Sequence, residues 1–197
     1  MNVTETPLPG VLLIEPGVHR DDRGSFLESF HAERYEAAGV VGPFVQDNVS
    51  VSRKGVLRGL HFQQPCSQRK LVGVLVGEVF DVAVDVRIGS PTFGKWTAHV
   101  LSADNGRQLY IPEGFAHGFL ALEDHTVFAY KCSDYYRPDA ERSLRWDDRS
   151  VGIEWPMRVP LLSARDADAS SLHEVMGGLV HASADSMNEA MGSASCR

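Results

Sequence analysis

The chain has 197 residues, 43% hydrophobic and 23% charged, which fits one soluble globular domain able to bury a sizeable core. A formal net charge of −7 repels polyanions, so neither nucleic acid nor an anionic membrane surface is an expected partner. No run approaches the ~20 apolar residues of a membrane helix, and the first residues lack the basic-then-apolar order of a secretory signal. Cys66, Cys132 and Cys196 are odd in number and unpatterned in spacing, so they read as reduced thiols of a cytoplasmic protein.

In chain order, apolar alternation and β-branched residues predict strands over 11–15, 25–30, 44–51, 56–63, 70–76, 80–87, 95–101, 108–111, 118–122 and 126–132. The clearest is Phe80-Asp81-Val82-Ala83-Val84-Asp85-Val86-Arg87. Phe80, Val82, Val84 and Val86 fall on one face, and Asp81, Ala83, Asp85 and Arg87 on the other. That second face reads either as paired carboxylates or as the solvated side of a strand. Turns are expected at Gly55, Gly77-Glu78, Gly89-Ser90-Pro91, 103–106, Pro112-Glu113-Gly114 and Glu123-Asp124. A short helix over 31–38 is closed by Gly39, and another starts after Ser163. Many short strands at regular spacing predict a sandwich or barrel. From Gly177 the composition turns to Ala, Ser, Gly, Met and Asn, so residues 1–176 are expected as a single domain and 177–197 as a loosely ordered tail. Trp96, Trp146 and Trp155 are expected to pack. His19, His31, His99, His125, His173 and His181 read as surface or loop residues.

Two spaced motifs carry the chemistry. Gly55-x5-His61-x-Gln63 and Gly106-x5-Pro112-x-Gly114-x2-His117 resemble the two halves of the cupin signature, which implies an all-β double-stranded β-helix, or jelly-roll, barrel with a few short helices. Gln63 stands where a metal-binding cupin carries a second histidine. Ser67 and Gln68 stand where a glutamate would follow, and the Lys70 ammonium repels a dication. No metal and no cofactor are therefore expected. His61 and Lys70 instead suit proton abstraction beside a ketone: a neutral imidazole takes the α-proton and a cationic amine stabilises the enolate oxygen. Inversion also needs an acid on the opposite face, and a phenol donates without ionising at neutral pH. Tyr130 shares a strand face with Phe128 and Thr126, which suits either that acid or a core aromatic. Arg58 and His61 are three apart, on opposite faces of a regular strand, unless Gly59 makes a bulge or one of the two serves another surface, such as a dimer contact.

The ordered fragments Asp22-Arg23-Gly24, Phe44-Val45-Gln46-Asp47-Asn48, Val56-Leu57-Arg58-Gly59-Leu60-His61-Phe62-Gln63, Lys70-Leu71-Val72, Ile111-Pro112-Glu113-Gly114-Phe115-Ala116-His117, Tyr130-Lys131, Tyr135-Tyr136 and Ser163-Ala164-Arg165-Asp166 resemble the dTDP-4-dehydrorhamnose 3,5-epimerase family over roughly residues 5–175. The resemblance implies His61 as general base, Asp166 as its tautomer-fixing partner, Lys70 at the C4 oxyanion and Tyr130 as proton donor. It implies Arg23, Glu28, Gln46, Asn48, Arg58, His117, Glu141 and Arg165 around the substrate, a dTDP-4-keto-6-deoxy-hexose, with Tyr136 stacking on the nucleobase. It also implies a homodimer. Arg165 departs from the lysine of some relatives, keeping the charge with another geometry. Asp166 also reads as a helix-terminal charge, and His117 as a turn residue. Three alternatives stay open: a mono-epimerase or ketoisomerase on a related dTDP-deoxysugar, a non-catalytic sugar-nucleotide binder, and a metal-dependent cupin.

Overall fold

The structure, a computed structural model, describes residues 1–178. Its strands are β1 (Asn2–Glu5), β2 (Leu12–Glu15), β3 (Val18–Asp21), β4 (Gly24–Leu27), β5 (Gln46–Ser52), β6 (Leu57–Gln63), β7 (Lys70–Val76), β8 (Glu78–Asp85), β9 (Trp96–Ser102), β10 (Gln108–Ile111), β11 (Phe115–Ala121), β12 (Thr126–Cys132) and β13 (Glu141–Ser143). Two antiparallel sheets, ordered β1-β2-β10-β7-β12-β5 and β13-β6-β11-β8-β9, face each other, and β3 and β4 form a separate hairpin. The result is the expected jelly-roll barrel, with two short helices, α1 (Ala32–Ala37) and α2 (Ala164–Ala167), and a further helical stretch over 172–178.

The core between the sheets takes Val72 and Val74 from β7, Leu109 and Ile111 from β10, and Phe128 from β12. Against them lie Val79 and Ala83 of β8, Leu101 of β9, and Phe115 and Phe119 of β11. Burial of each large side chain is worth about 1.5–3 kcal/mol, so this layer holds the sheets together. Both outer faces are also partly covered. Tyr35 of α1 and Val40 pack on Ile14, Leu71 and Tyr110. The C-terminal segment brings Val151, Trp155, Leu172 and Val175 onto Phe62, Val82, Val84 and Val86.

Strand β8 is therefore buried on both sides, which corrects the reading of its polar face as either solvated or a carboxylate pair. Asp81 and Asp85 are both fully buried and have separate partners. Burial pushes the Asp85 carboxyl up, but donors from Arg87, Ser90 and Thr92 outweigh it and bring its pKa down to about 2. Asp85 thus staples the turn that follows β8, where Arg87 lies 4.4 Å over the Phe115 ring.

The helix expected over 31–38 is α1, capped by His31, whose ring accepts from Arg34 N, and followed by Gly39 at φ +93°. Ser163 caps α2. Strands β1, β3 and β13, each three or four residues long, carry too little alternation to be legible. His99 is half-buried on β9 beside Thr97 rather than a surface residue, because the segment after β8 returns as its sheet neighbour. Cys132, one of the three cysteines expected to be reduced, is a buried free thiol. Among the described residues no helix is long and apolar enough to cross a membrane. From residue 179 the expected tail lies outside the described residues.

Candidate active site

Two adjoining cavities open inside the barrel, of about 280 and 260 Å³, and both are lined by His61, Lys70 and Tyr130. The first adds Gln46, Asn48, Tyr136 and Glu141, and the second adds Arg58, His117, Arg165 and Asp166. Residues scattered from position 46 to position 166 are thus gathered by six strands, the loop after β12 and one short helix.

The geometry at His61 begins with Gly59. Pairing of β6 with β11 slips between His117 and Phe119, and Gly59 sits at φ +113°. This bulge turns Arg58 and His61 toward the same cavity, which resolves their three-residue spacing. His61 Nε2 lies 2.6 Å from Asp166 Oδ1, and Ser163 Oγ donates to Asp166 Oδ2 at 2.8 Å. Burial raises the Asp166 carboxyl, but hydrogen bonds from His61, Ser163 and the Gly59 N–H outweigh it, and the pKa falls below the usual value. Asp166 is therefore an ionised acceptor at neutral pH. It also belongs to the first turn of α2, so its position as a helix-terminal charge and its contact with His61 coexist.

Lys70 is buried, and its Nζ donates to the His61 carbonyl at 3.3 Å. Burial lowers its pKa, with Cys132, Glu141 and Asp81 opposing that shift. Tyr130 packs against the central core, and burial raises its phenol pKa, helped by Cys132 and Glu141. The phenol is thus protonated at neutral pH and can act as an acid.

At the mouth, Gln46 Oε1 accepts from Tyr136 N at 2.8 Å, and Gln46 Nε2 donates to Asn48 at 3.0 Å. Glu141 accepts from the Tyr136 hydroxyl and pairs with Arg165 at 2.7 Å. Arg58 donates to Ser52 Oγ and to the Val51 carbonyl. His117 faces His61 across the β6–β11 ladder and bonds the fully buried Asp81 carboxylate at 2.9 Å through Nε2. Its ring stacks on Phe128. Asp81 as the partner of His117, and Ser163 as the partner of Asp166, are placements that sequence spacing did not reveal.

Arg23 and Glu28 are not brought to these cavities within one chain. Arg23 lies at the tip of the β3–β4 hairpin, exposed and paired with Asp21 at 2.6 Å. Glu28 pairs with Arg34. Gln63, at the metal-cupin histidine position, spends both ends on loop backbone. Its Nε2 donates to the carbonyls of Cys66 and Tyr135, and its Oε1 accepts from Arg137 N. Among the described residues no three His, Cys, Asp or Glu side chains gather in a metal-binding arrangement.

Residues 5–174 match the family described as dTDP-4-dehydrorhamnose 3,5-epimerase. A relative of that name from Shigella flexneri is 56% identical over 168 residues, covering 84% of this chain and 93% of the relative. The epimerase RmlC of Legionella pneumophila, solved with dTDP-4-keto-L-rhamnose, is 51% identical with a TM-score of 0.87, covering 90% of this chain and 96% of that one. The 3'-monoepimerase ChmJ of Streptomyces bikiniensis, solved with dTDP-quinovose, is 40% identical with a TM-score of 0.82, covering 89% and 91%. A barrel holding an imidazole–carboxylate pair, a buried amine and a protonated phenol, in a chain this similar, places it in the dTDP-4-dehydrorhamnose 3,5-epimerase family.

Proposed function

We propose that this chain converts dTDP-4-dehydro-6-deoxy-D-glucose to dTDP-4-dehydro-L-rhamnose by inverting C3 and C5. The observation that carries the reading is that His61, Lys70 and Tyr130 line both cavities, with Asp166 bonded to His61. Asp166 accepts the Nε2 proton and leaves Nδ1 as the basic nitrogen, which removes a proton from the carbon beside the C4 ketone. The electron pair moves onto the carbonyl oxygen, and the Lys70 ammonium stabilises the enolate. Tyr130 returns a proton to the same carbon from the opposite face, and solvent restores both groups. C3 and C5 flank the same carbonyl, so one base, one acid and one ammonium serve each in turn. Gln46, Asn48, Tyr136, Glu141 and Arg165 hold the nucleoside end, Tyr136 by stacking. Arg58 and His117 hold the charged middle of the substrate. The reading requires no metal, in keeping with the use of Gln63 as a loop clamp.

The chemistry is tested by offering the ketosugar nucleotide in deuterium oxide and reading the ring positions by NMR. Deuterium at both C3 and C5 in an L-configured product is expected. Uptake at C3 alone would support the mono-epimerase reading that the likeness to ChmJ keeps open, and uptake nowhere rejects catalysis at this site.

The homodimer belongs to the same proposal. Strand β5 ends its sheet with Val49 and Val51 more than half exposed, and Phe26 on the Arg23 hairpin is 70% exposed. A second copy covering these surfaces is the route by which Arg23 and Glu28 reach a cavity. Sedimentation at twice the chain mass is expected, with a monomer for the Val49→Asp/Val51→Asp variant. A parent protein that sediments as a monomer removes this part.

A further inference from the structure

Strand β5 reverses the usual polarity of a strand in a soluble protein. Gln46, Asn48, Ser50 and Ser52 turn into the barrel, while Val49 and Val51 stay exposed. Three of the four inward polar side chains are satisfied by protein groups. Gln46 bonds Tyr136 N and Asn48, Asn48 donates to Cys132 Sγ at 3.7 Å, and Ser52 accepts from Arg58 at 3.1 Å. Ser50 differs: its Oγ is buried and has no protein hydrogen-bond partner among the described residues. A buried hydroxyl without a partner is costly, and alanine fits a strand equally well, so the hydroxyl needs a reason to be there.

Its surroundings supply one. Ser50 lines the same cavity as Arg58, Lys70, His117 and Arg165. The carboxylate on that wall, Asp166, already accepts from Ser163 and is bonded to His61. With Arg165 held by Glu141 and His117 by Asp81, Arg58 and Lys70 are the cations that face this lobe without a carboxylate partner among the described residues, which matches an anionic ligand rich in acceptors. Building on the proposed function, we propose that Ser50 is a further substrate-binding residue whose hydroxyl donates to a phosphoryl oxygen of the nucleotide-sugar. Its partner arrives with the ligand, and the hydroxyl is preorganised by the β5–β12 ladder, where Ser50 faces Phe128.

The assignment makes two opposite demands on one substitution. In Ser50→Ala, loss of an unpaired buried hydroxyl leaves the ligand-free melting temperature equal to or above that of the parent. Affinity for dTDP, measured by titration calorimetry, falls about tenfold, as expected for a hydrogen bond to a charged acceptor. Affinity for thymidine, which lacks the phosphates, stays unchanged. A lower melting temperature would make Ser50 a structural residue and overturn the assignment. So would unchanged dTDP affinity, or an equal loss for thymidine. These outcomes are separate from the catalytic reading, which proton exchange by the parent protein tests without reference to Ser50.

Discussion

Gly59 shows how much of the site depends on one residue without a side chain. A Cβ at this position would lie 2.6 Å from Gly118 Cα and 2.7 Å from the His117 carbonyl, both backbone, and the φ of +113° is unfavourable for any other residue. Gly59→Ala is expected to cost about 3 kcal/mol or more, because neither the clash nor the dihedral can relax cheaply. It is also expected to abolish activity even where the protein still folds, since the Gly59 N–H bonds Asp166 and the bulge aims both Arg58 and His61. Thermal unfolding and turnover of the variant check both parts, and a variant of parental stability and rate would show that the bulge is dispensable. From sequence alone Gly59 was recognisable as a possible bulge. The reason it must be glycine was not, because Gly118 and His117 approach it from another strand. Asp166 was in the same position: 105 residues separate it from His61, so only resemblance to a family, and no spacing rule, could pair them.

At the scale of elements, legibility followed the strength of the alternation. The longer strands β6, β7, β9 and β12 were readable from apolar and β-branched residues bounded by glycine turns, whereas β1, β3 and β13 were too short. Polarity misled where the interior is itself polar. The acidic face of β8 read as solvent-facing or catalytic, yet Asp81 holds His117 and Asp85 holds a turn. The inward serines of β5 carried no signal at all. Rules that place polar residues outside and apolar ones inside apply to a filled core. They fail beside a cavity, and β5 lines one with its polar side chains while Val49 and Val51 stay exposed on its outer face. Its inversion is thus a signature of function that becomes readable only once the direction of each side chain is known.

Over the whole molecule, two packed sheets hold a set of groups whose charge states suit carbon-acid chemistry at neutral pH. Burial keeps Tyr130 protonated, donors keep Asp166 ionised, and burial lowers the Lys70 pKa against the opposing pull of Cys132, Glu141 and Asp81. The barrel fold was legible from the spacing of the two signature halves, and the chemistry of those positions singled out His61, Lys70 and Tyr130, which the fold brings to the same cavities. The division of labour between base and acid is open to one direct measurement: proton exchange in deuterium oxide for Tyr130→Phe and His61→Ala side by side. Tyr130→Phe should wash deuterium into the recovered ketosugar without inverting it, because the base still removes and returns a proton on its own face. His61→Ala should do neither, with exchange falling by a factor on the order of 10²–10⁴. Parental exchange in His61→Ala, or inverted product from Tyr130→Phe at the parental rate, would contradict the assignment.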